Sequence, residues 1–151
     1  MSPNFSLKRF VIVTLITSIW INISEVFRYF VFVRPRTRAF FKGVPEVAHI
    51  DPFIIGVWTF WDMLLSALVV GSFWLFANVF GNTKRSIVLS ASFTWALLFV
   101  LFWVATINMG MAKWDMLWIV LPLSWIEMLV ANCIAAILYK KHLNTIAYEN
   151  A

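Results

Sequence analysis

Four long apolar segments, separated by short polar ones, are the feature of this sequence that most constrains its fold. A helix needs about 20 apolar residues to cross a hydrocarbon core about 30 Å thick. Because a chain in lipid must satisfy its own backbone hydrogen bonds, apolar segments of this length predict helices and not barrel strands. The predicted spans are residues 10–33, 52–80, 86–107 and 114–139.

The composition supports the same assignment. Apolar residues make up 62% of the 151-residue chain, charged residues 13%, and the mean hydropathy is +0.86. A soluble domain is about half apolar and a quarter charged. The sequence therefore predicts an all-α membrane protein whose single domain, residues 1–151, is a bundle of four transmembrane helices. The segments between the spans leave no room for a soluble catalytic domain, and membrane lipid is an expected partner.

The net charge of +5 comes from basic residues that flank the spans, so we expect no nucleic-acid binding. Four spans place both termini on one side, and the long connection, residues 34–51, should lie on the opposite membrane surface. The side of the termini carries six basic residues and the other side five, so the positive-inside rule favours cytoplasmic termini by one residue. In a bacterium this multi-pass protein would lie in the inner membrane.

An internal duplication is a further expectation. A shift of 65 residues lays Thr59, Asp62 and Ser66 over Ser124, Glu127 and Ala131. Both segments then contain a small hydroxyl residue, an acid three residues on and a small residue after four more. Helices two and four start on the same side, so this predicts a parallel repeat of a helical hairpin. Chance similarity between two helices rich in tryptophan and leucine is the alternative.

Three carboxylic acids, Glu25, Asp62 and Glu127, fall inside the predicted spans at similar depth. A charged acid near the centre of a membrane helix costs about 2.5–3.5 kcal/mol, so such residues face protein or water and mark candidate functional sites. The structural alternative is that each acid is protonated or hydrogen-bonded to a neighbouring helix. We expect all three in one interior, about one helix diameter, ~10–12 Å, apart.

Arg28 lies three residues after Glu25, close enough for an ion pair on one helix face. The simpler interpretation is that Arg28 neutralises Glu25. The alternative is that it holds an anionic group together with Arg34, Arg36 and Arg38. No cation lies near Glu127 in the sequence, so Glu127 is the candidate for a shuttling proton, with Asp62 as its partner.

Other polar and aromatic residues complete the candidate substrate or ion site. Asn22 continues a polar stripe on the first helix, and Asn108 ends the third helix on the long-loop side. Three of the nine tryptophans, Trp58, Trp61 and Trp125, are the candidate pocket aromatics.

No cofactor and no metal are expected. His49 and His142 lie on opposite sides of the membrane, and Glu46 with His49 is only one ligand-like pair. The chain has a single cysteine, and no lysine inside a span could form a Schiff base with retinal.

These observations favour a small proton- or cation-linked carrier or channel. The alternatives are a non-catalytic accessory or scaffold subunit, and a membrane-embedded enzyme for a lipid or quinone-like substrate that uses Asp62 and Glu127 as acid and base. Four helices are few for a transport path, so a homodimer or a place in a membrane complex is expected. Its interface signals would be small residues four apart, Ala67 with Gly71 and Ala131 with Ala135.

Overall fold

A computed structural model gives the fold of the chain. The structure describes residues 6–44, Val47 and residues 49–149, and it describes side chains as far as Tyr139. The described residues form helices and short connections, with no strand among them. Four of the helices are long and apolar enough to cross a membrane. The prediction of an all-helical chain with four such helices is confirmed.

The four long helices follow one another with short connections, apart from residues 41–51. A short 3-10 turn, Trp114–Met116, precedes the last of them. The helices are α1 (Leu7–Phe40), α2 (Pro52–Phe80), α3 (Lys84–Asn108) and α4 (Leu117–Glu149).

The sequence accounts for the ends of α2 and the start of α3. The Asp51 side chain accepts a hydrogen bond from the Ile54 N–H at 2.9 Å, and Pro52 takes the first position of α2. Gly81 ends α2 with a φ of +72°, a conformation that glycine adopts without strain. The Thr83 hydroxyl then accepts from the Ser86 N–H and starts α3.

Helix α1 is longer than predicted. We expected it to end at Val33, whereas it continues through Arg34–Phe40. A π-helical turn over Tyr29–Val33 makes this possible, with the Arg34 N–H donating to the Tyr29 carbonyl five residues back. Pro35 then falls in the first turn of the next helical segment, where its missing N–H costs nothing. At 34 residues α1 is about 51 Å long, well beyond a ~30 Å hydrocarbon core.

The four helices pack side by side, and helices that follow one another in the chain run antiparallel. α1 contacts α2 and α4, α3 contacts the same two helices, and α2 also contacts α4. Arg9 of α1 donates to the carbonyls of Leu138 and Tyr139 of α4 at 2.7 and 2.8 Å. Asn82, in the turn between α2 and α3, donates to the Ala136 carbonyl at 2.9 Å. The start of α1, the 81–83 turn and residues 136–139 of α4 therefore lie at one end of the molecule.

The predicted duplication stays a prediction. Asp62 and Glu127 are both buried, and so are the small residues four positions later, Ser66 and Ala131. The first members of the two segments differ, because Thr59 is exposed and Ser124 is fully buried.

The small residues singled out for a dimer interface lie within one chain. Ala131 and Ala135 are fully buried between helices of the same chain, so they are not accessible to a second copy. Gly71 faces α1, since a Cβ added there would lie 3.8 Å from the Phe10 ring. Small residues allow close packing between helices within a chain as well as between chains, so this pattern does not by itself indicate a dimer interface.

Candidate functional site

Arg28 is buried at the centre of the site, with only 4% of its surface exposed. Its Nη2 atom forms an ion pair with Glu25 on the same helix, as predicted from their spacing. Its Nη1 atom donates to Glu127 Oε2 of α4 at 3.0 Å. The guanidinium carbon also lies 4.8 Å from the centre of the Phe99 ring of α3, within range for a cation–π interaction. Arg28 therefore connects three of the four helices.

The Glu127 carboxyl is 1% exposed and is bound from one face of α1. The Ser24 hydroxyl donates to Oε2 at 2.7 Å, the same oxygen that accepts from Arg28. The Trp20 indole N–H donates to the Glu127 backbone carbonyl at 3.1 Å. Trp20, Ser24 and Arg28 are spaced four residues apart, so they lie one above another on α1. The second carboxyl oxygen, Oε1, is buried and has no hydrogen-bond partner among the described residues.

Asp62 of α2 is the third acid of the site and is 6% exposed. Its carboxyl interacts electrostatically with Glu25, Arg28 and Glu127. Within the described part of the chain this carboxyl donates and accepts no hydrogen bond, whereas the Asp62 backbone carbonyl accepts from the Ser66 hydroxyl at 2.6 Å. Three carboxyls from three helices and one guanidinium thus lie within electrostatic range of one another.

Glu127 has no cation near it in the sequence, but the fold pairs it with Arg28. The two residues are 99 positions apart in the chain, so sequence spacing carries no sign of the contact. The site still contains more acid than base, because one guanidinium faces three carboxyls. If all three carboxyls were ionised, the interior would hold an excess of two negative charges, which is costly away from water.

Both π-helical turns of the chain's described part adjoin Arg28. Tyr29–Val33 begins at the residue after Arg28, and Ala96–Val100 contains Phe99, over which the guanidinium lies. Single π-helical turns inside α-helices occur frequently at functional sites. Together with the buried charges, the two π-helical turns identify the region around Arg28 as the candidate functional site.

The predicted polar residues outside the acids lie away from Arg28. The Asn22 amide donates to the Ser18 carbonyl of its own helix at 2.8 Å. Asn108 is exposed at the end of α3. Neither contacts the carboxyls in a hydrogen bond among the described residues.

The three predicted pocket tryptophans have different surroundings. The Trp58 ring meets Tyr29 edge to face at 4.5 Å, and the Trp125 indole N–H donates to the Ser92 hydroxyl at 3.2 Å. Trp61 is 61% exposed. Consecutive helical residues point about 100° apart, so Asp62 facing inwards turns Trp61 outwards.

The contacts of three of the four arginines predicted to hold an anion are different. Arg28 is buried against Glu25 and Glu127. Arg34 lies over the Phe30 ring at 5.4 Å, and Arg36 donates to the Phe32 carbonyl at 3.0 Å. Arg28 turns inwards because the interior acids attract it.

Besides Glu127 Oε1, several buried polar atoms have no hydrogen-bond partner among the described residues. They include Oγ1 of Thr14, Oγ1 of Thr17, Oγ of Ser90 and Oδ1 of Asn132. Other hydroxyls in the helices, such as that of Thr94, donate to a carbonyl of their own helix. An unpaired buried hydroxyl costs about 1–3 kcal/mol.

Thr17→Val should therefore raise the free energy of unfolding by about 1 kcal/mol, because it keeps the side-chain shape and removes an unpaired hydroxyl. Thr94→Val is the matched control and should lower it by about 0.5 kcal/mol, since the Thr94 hydroxyl is bonded at 2.9 Å. Denaturation by sodium dodecyl sulfate in mixed micelles measures both. A loss of stability in Thr17→Val as large as that in Thr94→Val would show that the Thr17 hydroxyl has a partner.

Among the described residues, no three His, Cys, Asp or Glu side chains are placed to hold a metal ion together. Glu46 and the His142 side chain lie outside the described residues. His49 is exposed. The sequence matches no protein-family model, and no curated protein or solved structure matches the chain.

Proposed function

We propose that the chain is an integral membrane protein whose four long helices cross the bilayer as a bundle. The outer surface supports this, because in each helix most of the apolar span is not buried inside the molecule; for α3 only 22% is. Apolar surface of this extent is typical of contact with lipid. Trp114 and the 84% exposed Trp118, beside the start of α4, fit an aromatic belt at one interface. On this proposal both termini lie in the cytoplasm.

The topology can be tested with single cysteines at exposed lysines. In a Cys133→Ala background, Lys42→Cys and Lys84→Cys place a thiol at each end of the helices, at positions that are exposed and outside the interior contacts. A membrane-impermeant maleimide should label Lys84→Cys only from the cytoplasmic side and Lys42→Cys only from the other side. Labelling of both positions from one side would contradict four antiparallel spans.

We further propose that the protein is a proton-linked carrier of small cations. The observation that carries this proposal is the cluster of half-buried Glu25 with buried Asp62 and Glu127, in which Arg28 is the one cation. A site with more carboxyls than cations attracts positive charge, and a proton is the smallest cation that can neutralise the excess negative charge. Such clusters inside membrane helices are typical of proton and ion pathways.

The geometry indicates how a proton could be coupled to helix movement. When Glu127 is ionised, its Oε2 atom holds Arg28 and so ties α1 to α4. A proton on Glu127 ends the ion pair and leaves a hydrogen bond from the Arg28 guanidinium to a neutral carboxyl, which is the weaker interaction. Arg28 then keeps its ion pair with Glu25 on its own helix. Protonation would therefore loosen α1 from α4 at the level of the two π-helical turns.

Asp62 provides a second position for positive charge. Its carboxyl interacts with the other three groups but accepts no hydrogen bond from the described residues. A proton or a cation at Asp62 would therefore displace no hydrogen bond from that carboxyl. We propose that Glu127 and Asp62 titrate as a coupled pair. A homodimer, or a larger membrane complex, would supply the additional helices that a transport path needs.

A scaffold subunit is the second candidate function, and the completed ion pairs of Arg28 favour it. Arg28 finds both partners within its own chain, and such a network can fix the packing of helices without any transport. The two functions differ in one measurable respect, which is flux.

The test of the carrier proposal is a flux assay in sealed liposomes. The purified protein should dissipate an imposed pH gradient when one of a panel of monovalent inorganic or organic cations is present on the opposite side. Protein-free liposomes are the control and should hold the gradient. No flux with any cation of the panel would reject the carrier and leave the scaffold function.

A further inference from the structure

A cavity of about 140 Å³ lies between the last turns of α1 and the segment that leads into α4. Arg36, Thr37 and Phe40 of α1 line one side, and Lys113 and Met116 line the other. None of these residues belongs to the cluster around Arg28. The lining of the cavity therefore contains two cations, a hydroxyl and apolar side chains.

The charged groups of the cavity are accessible for a ligand. Arg36 and Lys113 are exposed side chains from separate segments of the chain. Arg36 uses its Nη1 atom to donate to the Phe32 carbonyl, and its Nη2 atom makes no hydrogen bond within the described part of the chain. Asp115 is the one acid of the lining, so the cavity carries a net positive charge.

The position of the cavity indicates the kind of anion. It lies where α1 extends past the length needed to cross the hydrocarbon core, at the end where Trp114 and Trp118 are exposed. In a membrane this is the depth of the lipid headgroups. The exposed Phe40 would then face the start of the acyl chains, and Arg36 and Lys113 the phosphate.

We propose that this cavity binds the phosphate group of an anionic phospholipid, with Arg36 and Lys113 contacting the phosphate oxygens, Thr37 hydrogen-bonding to the headgroup and Phe40 packing on the lipid carbons. Arginine and lysine both bind phosphate, arginine in a planar fork and lysine as a point charge. This inference is independent of proton-linked transport, because it uses none of the buried carboxyls.

Native mass spectrometry of the purified protein in detergent tests the site, with phosphatidylglycerol as the probe. The double variant Arg36→Gln/Lys113→Gln should bind phosphatidylglycerol roughly 10- to 30-fold more weakly, the loss expected for two cations near a membrane surface. The matched control is Arg38→Gln/Lys42→Gln, which removes the same charge from exposed residues outside the cavity lining. It should weaken binding by no more than about threefold.

A second variant keeps the test valid if the double variant does not fold. Asp115→Asn removes the acid from the lining and should tighten phosphatidylglycerol binding by about threefold or more. Equal losses in the cavity variant and its control would overturn the proposal, because binding would then follow overall surface charge. Phosphatidylcholine binding as tightly as phosphatidylglycerol would also overturn it. Displacement of the lipid by millimolar inorganic phosphate would assign the cavity to a soluble anion instead.

Discussion

Replacing Arg28 by methionine is expected to lower the free energy of unfolding by about 3–5 kcal/mol, the usual cost of leaving one member of a buried ion pair without its partner. Methionine keeps the apolar stem of the side chain but removes the guanidinium that lies over Phe99, so Glu127 stays in the interior with no cation. Because Glu127 is only 1% exposed, water cannot replace the lost partner. Stability of the variant should recover as the pH falls, since a protonated Glu127 no longer carries a buried charge.

The rescue of this variant separates the ion pair from general packing. Arg28→Met/Glu127→Gln removes both charges, and it should regain most of the lost stability, because replacing a whole buried pair is often neutral. Arg38→Met is the control, since Arg38 is exposed, and it should change the stability by less than about 0.5 kcal/mol. Denaturation in mixed micelles at two pH values measures all three variants. A loss in Arg28→Met no larger than that in Arg38→Met, or no rescue by Glu127→Gln, would contradict the geometry at Arg28.

The sequence predicts the helices and the buried acids well because both depend on local properties. Hydropathy over about 20 residues identifies a span without knowledge of its neighbours. The cost of an acid in an apolar segment likewise identifies Glu25, Asp62 and Glu127 as interior candidates. The Arg28–Glu25 pair follows from a spacing of three residues on one helix.

Contacts between helices are harder to predict. The Arg28–Glu127 pair depends on how α1 and α4 face each other, which no local pattern of a single sequence encodes. Ser24 could have been found, because it lies four residues before Arg28 and hence on the same face of the helix. Phe99 could not, since nothing in an apolar run distinguishes one phenylalanine from another.

Two features of the helices could not be read from the sequence. The first helix continues past its predicted span, residues 10–33, because a π-helical turn at Tyr29–Val33 leads into the segment that contains Pro35. The predicted pocket residue Trp61 is 61% exposed. Depth gives no information about direction around the axis, and Asp62 takes the inward direction in that turn.

The central claim is that the buried carboxyls transfer protons, and the flux of the Glu127→Gln variant tests it most directly. Glutamine keeps the size of the side chain and much of its hydrogen bonding, including acceptance from Ser24, but it cannot exchange a proton. Asp51→Asn is the matched control, because it also removes one carboxylate, lies outside the cluster and still caps α2. Size-exclusion chromatography should show both variants folded as the native protein is.

In sealed liposomes with a pH gradient and the transported cation, the native proton flux should fall at least about tenfold in Glu127→Gln. A general acid or base contributes more than this to a proton-transfer step, so the expected loss is a lower bound. Asp51→Asn should retain the native flux. A folded Glu127→Gln variant that carries protons at the native rate would contradict the assignment of Glu127 as the proton-transferring group.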